Sequence, residues 1–216
     1  MRRSLRAALA ALVLLPATVG CSSVYYDTME KFGFEKRDIL VDRVEDGREA
    51  QTDAQEEFKD ALTQFRELVA FDGGELEKQY DKVSRSYDRM QREAEEVRGR
   101  IDAIEDVGEA LFDEWEDELG EYQSAELRNA SARQLRETQT QYAQVVRAMN
   151  RAADKMDPVL EIYQDQVLYL KHSLNARAIA GLEDERAVIE QRVNELIAEM
   201  DAAIAEANRF IDAMQA

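Results

Sequence analysis

The chain holds one histidine, His172, and one cysteine, Cys21. Those two counts decide most metal and nucleophile chemistry at once. A di-metal helical bundle needs two Glu-x-x-His motifs, and a structural zinc site needs several His or Cys ligands. Neither can be assembled here. His172 falls near the end of a predicted helix, where the helix dipole favours a cation, so it reads as a polar cap. The nearest approach to a calcium loop is Asp42, Asp46, Gly47 and Asp53. It fails because Val44 stands where an oxygen ligand is required, and because the segment patterns as helix. No Gly-x-Gly-x-x-Gly, P-loop, Gly-x-Ser-x-Gly or His-Glu-x-x-His string occurs. Adjacent carboxylates abound, but with 46 acidic residues that is unavoidable. A catalytic carboxylate also needs a pocket to perturb its pKa. The expectation is a chain with no catalytic residue, no cofactor and no metal site, and thus not an enzyme.

Cys21 has a different chemistry in prospect. Residues 1–6 carry Arg2, Arg3 and Arg6, and residues 7–15 form a short apolar run, Ala-Ala-Leu-Ala-Ala-Leu-Val-Leu-Leu. That run is too short for a stable membrane span and fits a signal peptide. It leads into Ala17-Thr18-Val19-Gly20-Cys21, a small residue directly before a cysteine, which resembles the bacterial lipobox. The resemblance implies removal of residues 1–20, acylation of the Cys21 thiol and acylation of the new amine. Two or more acyl chains hold a protein stably at a membrane, where one does not. A non-Asp residue at position 22, here Ser22, implies the outer membrane by resemblance to enterobacterial lipoproteins.

The remaining candidates are surfaces. Asp113-Glu114-Trp115-Glu116-Asp117-Glu118 sets the sole Trp in an acidic run. Acids at a helix C-terminus oppose its dipole, so the run is either a tolerated helix end with Trp115 in the core or a docking site for a basic partner. Lys171, His172, Asn175 and Arg177 form a basic and polar island on an otherwise acidic chain, and Lys36-Arg37 forms another. The islands fall at opposite ends of an antiparallel four-helix order. Removing residues 1–20 takes the formal charge from −18 to −21. Such a surface is repelled by phosphate backbones and anionic headgroups, which argues against nucleic acid and against direct headgroup binding.

Helices must carry these residues. Hydrophobic residues make up 45 % and charged residues 34 %, with 9 Gly and 2 Pro, the composition of long helices rather than of a disordered chain. Steps of four and three trace Leu76, Tyr80, Val83, Tyr87, Met90, Ala94, Val97, Ile101, Ile104, Gly108, Leu111 and Trp115. A sustained 3.5-residue period is a coiled-coil seam or the core line of a bundle helix. A third helix runs Leu135, Thr138, Tyr142, Val145, Met149, Ala152, Met156, Val159, Tyr163, then Gln166 or Val167, Leu170 and Leu174. A fourth runs from Ile179 to Met214 with one polar interruption, Arg186. The first is weaker: Gly47, Gln51, Ala54, Phe58, Ala61, Phe65 and Leu68.

Breaks follow from local chemistry. Asp72-Gly73-Gly74 ends the first helix, glycine supplying the left-handed cap. Gly120 ends the second, and Ser124 and Asn175 read as N-caps of the third and fourth. Pro158 removes a hydrogen bond within the third helix and predicts a kink or a short break. The predicted helices span about 28–70, 75–118, 125–172 and 176–214, and residues 21–27 form a lipidated linker. A helix of about 44 residues is about 65 Å long. The fold class expected is all-α: an elongated antiparallel bundle of about four long helices over residues 28–216, with coiled-coil-like heptad seams.

Three stretches carry a family resemblance. They are Met29-Glu30-Lys31 through Lys36-Arg37-Asp38-Ile39-Leu40-Val41-Asp42-Arg43-Val44, Ile104-Glu105-Asp106-Val107 through Ala110-Leu111-Phe112-Asp113-Glu114-Trp115-Glu116, and Leu168-Tyr169-Leu170-Lys171-His172-Ser173-Leu174-Asn175-Ala176-Arg177-Ala178-Ile179. Together they resemble a proteobacterial family of uncharacterised lipoproteins catalogued as domain of unknown function 2959. The resemblance implies a helical, exported protein and brings no activity with it. The expected role is therefore structural: a lipid-anchored periplasmic rod that meets an envelope protein or a second copy of itself. The alternative is a helical module holding a small ligand or lipid, with Tyr80, Tyr87, Tyr142 and Tyr163 lining the cavity.

Overall fold

The computed structural model describes residues 35–70, 76–173 and 176–215. Within them the chain is helical from end to end: α1 (Lys36–Val69), α2 (Leu76–Glu118), α3 (Ala125–His172), α4 (Ala176–Glu183) and α5 (Arg186–Gln215). No strand is present among the described residues. The fold is an all-α bundle of four long helices with one short helix between the last two.

The core lines fix the packing. Every position named above for α1 is buried, as are Val44 and Leu40 one and two turns earlier. In α2 the line is buried from Val83 to Leu111 apart from Tyr87, and Leu76, Tyr80, Tyr87 and Trp115 are partly exposed at its margins. The α5 line is buried from Ile189 to Met214. Around the bundle the order is α1, α2, α3, α5, so α1 lies diagonally across from α3. Cross-helix pairs give the directions. Lys36 at the start of α1 meets Glu114 at the end of α2, and Arg66 at the end of α1 meets Glu190 at the start of α5. Neighbours are therefore antiparallel, while α1 and α3 run the same way. One end of the bundle, here the proximal end, gathers the starts of α1 and α3 with the ends of α2 and α5. The distal end gathers the rest.

Two glycines let helices close in. A methyl group on Gly108 of α2 would lie 2.5 Å from the Tyr142 ring of α3, and one on Gly47 of α1 would lie 2.8 Å from Ile104 Cδ1. Tyr142 sits edge-on to Phe112 at 5.1 Å and to Phe210 at 6.5 Å, so the ring is held from three helices. Tyr163 is buried edge-on to Phe65 at 6.2 Å.

The breaks depart from expectation once. The fourth predicted helix is not continuous: Asp184 and Glu185 form a turn between α4 and α5. Arg186, the polar interruption in its core line, is exposed and pairs with Glu183 at 3.1 Å. With no apolar side chain at that level to hold the helix to the core, four successive charged residues and the preceding Gly181 let it turn. The acids then precede the start of α5, where the dipole favours them. At Pro158, where a kink or a short break was expected, the break does not occur. Helix α3 passes through it without a break, because Met156 and Val159 on either side are buried and hold the helix to the core. Ser124 caps α3 as read from the sequence, its Oγ accepting from the Leu127 N–H at 3.3 Å. The Asp72-Gly73-Gly74 turn, the Asn175 cap and the start of the first helix at residue 28 lie outside the described residues.

Candidate functional site

The proximal end carries a groove of about 720 Å³. Its wall is built from three helix ends: Lys36 and Arg37 of α1, Leu111, Glu114 and Trp115 of α2, and Leu127 and Ser131 of α3. Trp115 is half-buried rather than in the core. Its Nε1–H donates to Ser131 Oγ at 2.8 Å, which fixes the ring plane and leaves a face to the groove. Tyr122 and Leu127 beside it are 39 % and 59 % exposed, large apolar surface for such a polar chain.

The acidic run around Trp115 is partly answered by its neighbours. Lys36 is only 7 % exposed, and its Nζ lies 2.9 Å from Glu114 Oε2. Gln139 donates to Glu116 Oε1 at 3.1 Å. The Arg37 guanidinium donates to the Met214 carbonyl, tying the last turn of α5 to the first turn of α1. The groove thus has an aromatic wall, an apolar lip and both signs of charge. It can hold a side chain or peptide segment of mixed character. None of its side chains is a nucleophile poised by a base.

The other residues singled out in the sequence are not gathered here. Lys171 and His172 are exposed on the last turn of α3, at the distal end and away from Trp115. The two basic islands do fall at opposite ends, as the helix order requires. Asn175, the Arg177 side chain and Cys21 lie outside the described residues. Among the described residues no cluster of three or more His, Cys, Asp or Glu could hold a metal ion, and no helix is long and apolar enough to cross a membrane.

Of the four tyrosines named as cavity-lining candidates, Tyr142 and Tyr163 pack against phenylalanine rings, and Tyr87 borders a shallow surface pocket of about 300 Å³. Burial pushes the Tyr142 phenol up to about 12, with Glu105 and Glu109 adding to the effect, and burial raises Tyr163 further. Tyr80 and Tyr87 are half-buried at the edge of the core. Lys36, read from the sequence as part of a surface basic island, is buried instead. It extends the α1 core line by one step before Leu40 and Val44, a signal that spacing contains and residue type conceals.

The model of a family described as "Protein of unknown function (DUF2959)" matches residues 25–214, so the chain belongs to that family. No curated protein and no solved structure matches it.

Proposed function

We propose that this member of the DUF2959 family is a lipid-anchored periplasmic rod, a structural or interaction protein of the cell envelope at the outer membrane. Its anchor is Cys21, and its contact point is the groove around Trp115. The observation that carries the reading is the coincidence of the groove of about 720 Å³ and the exposed Tyr122 and Leu127 with the end at which α1 begins. Glu35 lies 14 positions after Cys21. Extended chain of that length reaches roughly 50 Å at most, so the groove is held close to the anchor. Long helices then carry the distal end away from it.

A ligand-binding module has less support. Tyr142 and Tyr163, its best candidates, are wedged against Phe112, Phe210 and Phe65 and fill the space a ligand would need.

Cross-linking in the native bacterium followed by affinity capture tests the reading. The wild-type chain is compared with Cys21→Ala and Trp115→Ala. A discrete envelope protein captured from wild type and lost from both variants is the expected result. Equal capture from all three, or none, would remove the anchored scaffold from consideration.

A further inference from the structure

Arg133, Arg136, Arg147 and Arg151 are all exposed on the first half of α3. At 3.6 residues per turn they fall within an arc of about 60°, centred opposite the buried face. Among the described residues no ion pair involves Arg133, Arg136 or Arg147, and Arg151 reaches Glu199 at 3.5 Å. On a strongly acidic chain this is a stripe of positive charge in which only Arg151 has an ion-pair partner among the described residues. The diagonal helix carries its counterpart. Glu35, Asp38, Asp42, Glu49 and Asp53 are exposed at the start of α1, in an arc of similar width on its outward side.

The two stripes share a register. Gln51 Nε2 of α1 donates to the Met149 carbonyl of α3, 98 positions later. The Phe65–Tyr163 ring pair has the same offset. Along the bundle axis, then, Glu35 is level with Arg133, Asp38 with Arg136, Glu49 with Arg147 and Asp53 with Arg151. Within one molecule these residues face opposite sides and cannot meet. In a second copy displaced sideways without rotation, all four pairs meet at once.

We propose that copies of this chain associate side by side, pointing the same way, with the α3 arginine stripe of one against the α1 acidic stripe of the next. The contact uses two different faces and does not close, so it makes rows rather than dimers. It rests on the anchored reading above, because a shared anchor supplies the common direction and height. Exposed ion pairs are individually weak, and the net charge opposes assembly in bulk solution. Screening over about 8 Å leaves the local pairs to decide at contact, and anchoring raises the effective concentration.

The test uses the full chain in bacterial cells carrying Asp42→Cys and Thr140→Cys, residues at the same level on the two stripes. A short bis-maleimide should give a ladder of dimers, trimers and higher species. The chain without added cysteines should give none. Moving the first cysteine to Asp60→Cys, 18 residues or about 27 Å along the helix, should weaken the ladder at least fivefold. Arg136→Glu with Arg147→Glu should abolish it. A co-expressed chain with Asp38→Arg and Glu49→Arg should restore cross-linking between the two variants, and circular dichroism should show each variant folded. No ladder, although both cysteines react with a monofunctional maleimide, would overturn the proposal. So would a ladder indifferent to register or to charge reversal. Cross-links from Thr140→Cys to a different protein alone would also overturn it while leaving the scaffold reading intact.

Discussion

Gly108→Ala tests the packing most sharply, because two opposing effects of known size meet at one atom. Replacing a mid-helix glycine by alanine stabilises a helix by about 1 kcal/mol. The new methyl, however, would lie 2.5 Å from Tyr142 Cζ and Oη. That ring cannot swing aside freely, since Phe112 and Phe210 hold its edges and the Tyr142 hydroxyl donates to the Ile104 carbonyl at 3.4 Å. Overpacking of a well-filled core costs about 1–3 kcal/mol and here falls in the upper part of that range. The net expectation is a loss of about 1–2 kcal/mol, or a fall in Tm of about 2–8 °C for a chain of this size. Gly99→Ala, nine residues earlier in the same helix, has nothing within 4 Å of the new methyl. It should raise Tm by about 2–4 °C. Gly47→Ala should be close to neutral, because its neighbour is the movable end of Ile104. Thermal melts of the three variants make the comparison. A Gly108→Ala chain as stable as Gly99→Ala would refute the close approach of α2 and α3 at this level. Pairing Gly108→Ala with Tyr142→Leu should recover about 1 kcal/mol or more relative to the sum of the single effects.

Three further outcomes follow from buried groups. Gln166 is buried in α3 with both amide atoms unpartnered, so Gln166→Leu should stabilise the chain by about 1–3 kcal/mol, read from urea midpoints. Pro158→Ala restores an N–H donor inside α3 and should raise stability by about 1–3 kcal/mol; a loss would mean the proline geometry is itself needed. The Tyr142 phenol titrates near 12 when folded and near 10 when unfolded, so its protonated form favours the folded state. That contribution is complete below pH 10 and fades as pH rises towards 12. Tyr142→Phe should therefore flatten the fall of Tm between pH 10 and 11.5, and an unchanged slope would place the loss elsewhere.

Apolar spacing was enough to place α1, α2 and α3, because each buries one continuous line against two neighbours. It placed Gln51 and Thr138 in the core, but left a choice open at another polar position. Gln166 or Val167 could follow Tyr163 on paper, and the helix puts Gln166 inside and leaves Val167 partly exposed. Lys36 is another polar side chain in a core position, at the start of α1. Arg186 was visible as a fault in the fourth line, yet only packing reveals that the helix stops there. Pro158 shows the reverse, since neighbours can hold a helix that the local sequence weakens. Trp115 was legible as a candidate from its setting among acids. The groove it faces was not, because Lys36, Trp115 and Leu127 come together only when three helix ends meet.

The tie between Arg37 and the Met214 carbonyl has a mechanical meaning. It joins the start of α1 to the end of α5 at one end of the bundle. A load applied between the start of α1 and anything gripping the distal end would pull the helices past one another, straining the whole length of the core at once. The same load applied at the C-terminus would peel α5 away one turn at a time, starting at that single hydrogen bond. Loaded between its two ends, the bundle is strong along its length and weak where α5 finishes.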